Sequence, residues 1–189
     1  MNATGAYNAA FGDSALAQNT TSFNTAVGSL AGSNITSGGY NTIIGAAAGD
    51  AITTGANNVA NGAYALTENT TGGDNVAIGR VALGANTTGN GNTAIGYACL
   101  DANTTADSNT GIGKHCLTTN TTGNENVAVG RGAMYNNTTG SDNTALGYSA
   151  LDNNTTAANN TAVGHSALKA NTTGTGLVSI GYQALTAST

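Results

Sequence analysis

Proline and tryptophan are absent, aromatic residues make up 5% of the 189 positions and charged residues 7%. Each scarcity removes a class of protein. With so few aromatics, and a hydrophobic share of 39% that is mostly alanine, the chain cannot build a conventional globular core. Charged residues usually make up roughly 25% of a soluble domain, so solvation here must come from Asn, Thr, Ser and exposed backbone. Four Lys and Arg against nine Asp and Glu leave a net charge of −5 and a pI near 4.5. That is too little positive charge to neutralise phosphates, the dominant affinity term for nucleic acid, and nucleic-acid binding is excluded. No apolar run approaches the ~20 residues of a membrane span, so no membrane insertion is expected. The opening MNATGAYNAAFG lacks a basic n-region and an apolar h-region. A protein working outside a cell would then be a mature fragment or leave by another route, such as lysis.

What is present is a repeat. Glycines close successive units at Gly12, Gly28, Gly45, Gly62, Gly79, Gly96, Gly113, Gly130, Gly147, Gly164 and Gly181; the first spacing is sixteen residues and the nine others are seventeen. The consensus is N-T-A-I-G-Y-x-A-L-x-x-N-T-T-G-x-x, and its seventeen places are counted below from the first Asn. Fixed self-similarity of this kind marks a solenoid, in which each unit stacks on the last because none can bury its own apolar face. The whole of 1–189 is therefore read as one repeat domain. Apolar residues alternate over TAIG rather than recurring at three and four, which predicts strand and not helix. The expected fold is an all-β parallel β-solenoid of about eleven coils. The second and fourth places (Thr93 and Ile95; Val127 and Val129) point one way and the third (Ala94, Ala128) the other. The pairs Ala82-Leu83, Ala150-Leu151 and Ala167-Leu168 supply a second apolar step.

Asn recurs in the first place at Asn8, Asn24, Asn41, Asn58, Asn75, Asn92, Asn109, Asn126, Asn143 and Asn160, with Leu177 breaking the series. Stacked at about 4.8 Å, such amides are expected to form hydrogen-bonded ladders. A second column, Asn19, Asn69, Asn86, Asn103, Asn120, Asn137, Asn154 and Asn171, each followed by Thr-Thr, suits a turn held by local backbone bonds. The same NTT triplets match the N-glycosylation sequon; without a visible leader segment the turn reading is preferred. The invariant Gly is assigned to positive φ or close backbone approach.

The fourth-place file, Val27, Ile44, Ile78, Ile95, Ile112, Val129, Leu146, Val163 and Ile180, with Asn61 as its polar interruption, would leave a roll lined by Ala facing outward. A contiguous apolar stripe of that length is an association surface. Side-by-side homo-oligomerisation, about a threefold axis, is the expectation, with this file buried in the oligomer.

NTAIG, NVAIG and NTAVG followed by a small-residue segment resemble the head repeats of trimeric autotransporter adhesins of the YadA-like kind, and NTAIGYxALxxNTTG is also similar to repeat regions of phage and viral tail fibres. The resemblance covers essentially the whole chain. It implies a left-handed parallel β-roll, an interlocked homotrimer, an extracellular or virion-surface location and a role in attachment.

Candidates for chemistry are few. His115 and His165 are the only histidines and fall in different columns, so no convergent acid, base and nucleophile is assembled; the chain is read as non-enzymatic, both histidines as surface residues, and no cofactor is expected. Asp74, Glu125 and Asp142 share the seventeenth place without forming a continuous run, and the Gly-Gly-x-Gly-x-Asp calcium repeat is missing, so no metal site is expected. Cys99 and Cys116, one coil apart in the same column, are read as reduced apolar fillers, with a disulfide staple as the alternative. The residue after the Gly runs Arg80, Tyr97, Lys114, Arg131, Tyr148, His165 and Tyr182, a candidate face for a cell-surface glycan or receptor through stacking and cation–π contact; simple packing of stacked neighbours is the plainer reading and is preferred.

The leading expectation is a rod-like trimeric shaft or head of a tail fibre or adhesin. A second is an extracellular filament: Asn2, Thr4 and Gly5 occupy the NTTG slots and YQALTAST ends just past Leu185, so the chain begins and ends at nearly one phase of the coil, as end-to-end stacking would require. A third is an ice- or glycan-binding solenoid, although consecutive Thr-Thr sends one hydroxyl each way where ice binding wants two files on alternate residues.

Overall fold

The computed structural model describes residues 5–186; Asn2, Thr4 and the last three residues of YQALTAST lie outside the described residues. Eleven three-residue strands follow in order: β1 (Ala9–Phe11), β2 (Thr25–Val27), β3 (Thr42–Ile44), β4 (Val59–Asn61), β5 (Val76–Ile78), β6 (Thr93–Ile95), β7 (Thr110–Ile112), β8 (Val127–Val129), β9 (Thr144–Leu146), β10 (Thr161–Val163) and β11 (Val178–Ile180). They form one parallel sheet in sequence order, each strand paired only with the coil before and the coil after it. The register is in phase with the repeat: Thr93 faces Thr110, Ala94 faces Gly111 and Ile95 faces Ile112. The short first unit also stays in phase, Ala9 opposite Thr25. No helix occurs among the described residues. The expected parallel β-solenoid is what the chain forms.

The alternation read from TAIG holds. Third-place residues such as Ala77, Ala94 and Ala128 are wholly buried, while their neighbours on either side face outward. With the Ala-Leu pair (Ala82 and Leu83, Ala150 and Leu151, Ala167 and Leu168) they make a single thin core running along the rod. Only one large aliphatic residue per coil is needed because the cross-section is so small.

The closing glycine serves both roles assigned to it. Gly96 has φ of +137° and a Cβ there would collide with the carbonyl oxygen of Gly113 in the next coil. A side chain at this place would therefore hold adjacent coils apart.

The rest of the coil is held by a device that the sequence conceals. Non-glycine residues at the seventh and ninth places adopt left-handed backbone, for example Val81 (φ 53°) and Leu83 (φ 50°). Such residues are ordinarily disfavoured by contact between Cβ and the carbonyl. Here each turns its N–H along the rod: Val81 donates to Ala63 O of the preceding coil at 3.1 Å, and Leu83 to Cys99 O of the next at 3.0 Å. The two left-handed residues thus send their amides to opposite neighbouring coils, and these bonds offset the local cost.

Candidate functional site

Three longitudinal files carry the chemistry, and each owes its alignment to the register of the coils. The first is internal. Asn92 is fully buried; its Nδ2 donates to Asn75 Oδ1 at 3.2 Å and to Ala106 O at 2.8 Å, and its Oδ1 accepts from the backbone N–H of Asn109 at 3.0 Å. The second Asn column, expected as a turn device, does more. Asn103 Nδ2 bonds locally to Ala106 O at 3.1 Å and also to Asn86 Oδ1 at 2.9 Å. The two ladders therefore converge on one carbonyl per coil. The sequon asparagines Asn69, Asn86, Asn103, Asn120, Asn137 and Asn154 are 0% exposed, with Nδ2 engaged, so the folded chain offers no glycan acceptor there.

The second file is external. Val27, Ile44, Ile78, Ile112, Leu146 and Ile180 are exposed on the sheet face, Ile78 by 38% and Ile112 by 40%, and Ile95, Val129 and Val163 are half-buried. In the single chain the file faces solvent, interrupted at Asn61. Thr or Val at the second place flanks it along β2 to β11. No charged residue lies in these strands.

The third file is the post-glycine column, and its members touch one another. Tyr148, His165 and Tyr182 stack at 4.9 and 5.2 Å between ring centroids. Arg80 and Lys114 lie 5.8 and 5.5 Å from the Tyr97 ring centre, and Arg131 lies 5.7 Å from that of Tyr148. Beside this column, at the seventh to eleventh places, a cleft of about 350 Å³ opens between Tyr148 and Tyr135.

Two readings need correction. His115 is not a plain surface residue. It is half-buried, its ring is set edge-on between Tyr97 (5.1 Å) and Tyr135 (6.2 Å), and its Nδ1 is buried without a hydrogen-bond partner. The tyrosines at the sixth and tenth places enclose it, a contact between columns that a one-column reading misses. His165 is exposed, as expected. Cys99 and Cys116 are joined as a disulfide, with Cα atoms 4.9 Å apart, and are not reduced fillers. The third-place residue beneath them is Gly111, where a Cβ would press on both sulfurs. Gly for Ala at that place was the overlooked signal.

Asp101 lies near His115. Burial pushes its carboxyl above the usual 3.8, His115 pulls it back down and Glu68 raises it further. No group of three or more His, Cys, Asp or Glu among the described residues could hold a metal ion. No described helix is long and apolar enough to cross a membrane. Fold and files together define a parallel β-solenoid repeat protein with one outward apolar face and one aromatic-cationic edge. No family model, curated protein or solved structure matches the chain.

Proposed function

We propose that the protein is a non-enzymatic structural element of an attachment fibre: its chains associate side by side through the sheet face into a homotrimeric rod, the shaft or head of a tail fibre or surface adhesin at a virion or cell exterior. The observation that carries this reading is the outward file of Val, Ile and Leu running along β2 to β11 without a charged neighbour in the strands. An apolar stripe broken only at Asn61 costs free energy in water along the rest of its length and recovers it against a matching stripe. Likeness of the repeat to trimeric adhesin heads supports three chains. The disulfide suits an oxidising exterior.

The ice-binding alternative fits the hydroxyl arrangement less well. Thr70, Thr87 and Thr121 at the thirteenth place each donate their hydroxyl to the backbone of the next coil, which leaves only one file of each Thr-Thr pair with its hydroxyl uncommitted to the backbone. Sedimentation equilibrium of the full chain tests the proposal. A mass of three chains is expected, and a monomer at ~100 μM, weaker than the micromolar range of specific assemblies, overturns it.

A further inference from the structure

The cleft beside the post-glycine column exists because of one residue. Gly132 occupies the seventh place of its coil, where the neighbouring coils carry His115 and Ser149 and earlier ones Tyr64 and Val81. Backbone geometry does not demand glycine: φ is 67° at Gly132, against 56° at His115, 51° at Ser149, 60° at Tyr64 and 53° at Val81. Nor does packing demand it, since a Cβ would meet only Ser149 Oγ, at an ordinary 3.5 Å. Glycine here forms an unfilled notch in a file that is otherwise occupied by side chains.

The walls of the notch have a definite chemistry. Tyr135 and Tyr148 flank it, and Arg131, His115, Asn136, Ser149 and Asp152 complete its lining around Gly132. At about 350 Å³ it sits at the lower end of the roughly 300–1,000 Å³ of small-molecule sites. Phenol rings with hydroxyl and carboxylate groups between them suit a ring that is apolar on its faces and hydroxylated at its edge, which describes a pyranose. Charge then narrows the class. Arg131 keeps its guanidinium edge free of carboxylate partners while its face lies toward Tyr148, and Lys114 stands one coil away in the same file. Asp152 is offset by Lys169 at 3.7 Å. Lys169 thus offsets the one carboxylate of the lining and leaves Arg131 as its uncompensated cation.

We propose that this cleft binds a carboxylate-bearing sugar, a uronic acid unit of an acidic polysaccharide, with the ring against Tyr135, the edge of Tyr148 beside it and the carboxylate on the Arg131 fork. The site lies outside the strands that carry the apolar sheet face, so it stands or falls independently of chain association.

The test is an NMR titration of the full chain, following the tyrosine ring signals, with methyl β-glucuronide and with methyl β-glucoside, which differ only in carboxylate against hydroxymethyl. Saturable binding of the glucuronide is expected, about tenfold tighter than the glucoside, the share of one charge-assisted contact. Gly132→Val, which copies the residue at Val81, should abolish saturation while keeping the wild-type circular dichroism, with a melting point lowered only by the cost of a β-branched residue at a φ of 67°. Arg131→Gln should reduce the glucuronide to the glucoside level. Absence of saturable binding by the wild-type chain at ~10 mM sugar, equal binding of the two sugars, or a folded Gly132→Val that binds as wild type does would each overturn the proposal.

Discussion

Asn92 shows how one side chain can hold three coils. Its Oδ1 accepts from the Asn109 backbone N–H at 3.0 Å, and its Nδ2 reaches both Asn75 and Ala106. In Asn92→Ala that N–H is left buried and unpaired beside a small void, and a loss of about 2–4 kcal/mol is expected. Denaturant unfolding checks it, as a lower midpoint with unchanged slope. Asn90 makes side-chain bonds of the same type on the exposed corner, its Nδ2 donating to Thr88 O at 3.0 Å and Asp107 Oδ1 at 3.3 Å and its Oδ1 accepting from the Gly73 N–H, so Asn90→Ala should cost less than about 1 kcal/mol because water replaces what is lost. Asp101 has the opposite sign. Burial raises its carboxyl above 3.8, so the fold prefers the neutral acid. Its favourable contribution is full below the unfolded value and is lost as pH rises through the higher folded value. Asp101→Asn should melt higher than wild type at about pH 7 and coincide with it at about pH 3.

A coil tolerates exchange within itself when volume is conserved. Most coils place Leu ninth and Asn twelfth, as in Leu83 and Asn86; two early coils place Gly ninth and Ile twelfth, as Gly32 with Ile35 and Gly49 with Ile52. Ile35 and Ile52 are wholly buried and reach into the space that the ninth-place Leu fills elsewhere: a Cβ on Gly32 would stand 2.8 Å from Ile35 Cδ1 and 3.3 Å from Leu16 Cδ2. The same core volume is supplied from the opposite wall, and the second Asn ladder is interrupted where this happens. Gly32→Leu alone should therefore overpack the coil and cost about 1–3 kcal/mol. Adding Ile35→Asn should restore stability to within about 1 kcal/mol of wild type, a coupling that a double-mutant cycle in urea would measure.

For the assembled rod the decisive surface is the outer face of the sheet. Ile95 points outward from β6 and is half-buried by its own chain. In Ile95→Asp the isolated chain keeps its core, so circular dichroism should be that of wild type. A charge placed on the stripe would be desolvated on association, so the sedimentation mass should fall to one chain. If the variant keeps the wild-type mass, association does not use this face, and the fibre reading loses its support.

The repeat of seventeen residues, the parallel strand at TAIG, the inward third place and the Asn ladder were all legible in the chain, because a solenoid writes each structural requirement once per coil and register then repeats it. The closing Gly was legible for the same reason. The left-handed backbone at Leu83 and Val81 was not: the intrinsic preferences of those residues oppose it, and only hydrogen bonds to coils above and below outweigh them. Nor could one column reveal what depends on its neighbours. The Cys99–Cys116 bridge rests on the space over Gly111, the partly enclosed His115 on Tyr97 and Tyr135, and the notch at Gly132 on side chains three and sixteen residues further along, at Tyr135 and Tyr148. Sequence periodicity determined what every coil shares. Contacts across the columns, which exist only once the coils are stacked, decided where single coils differ.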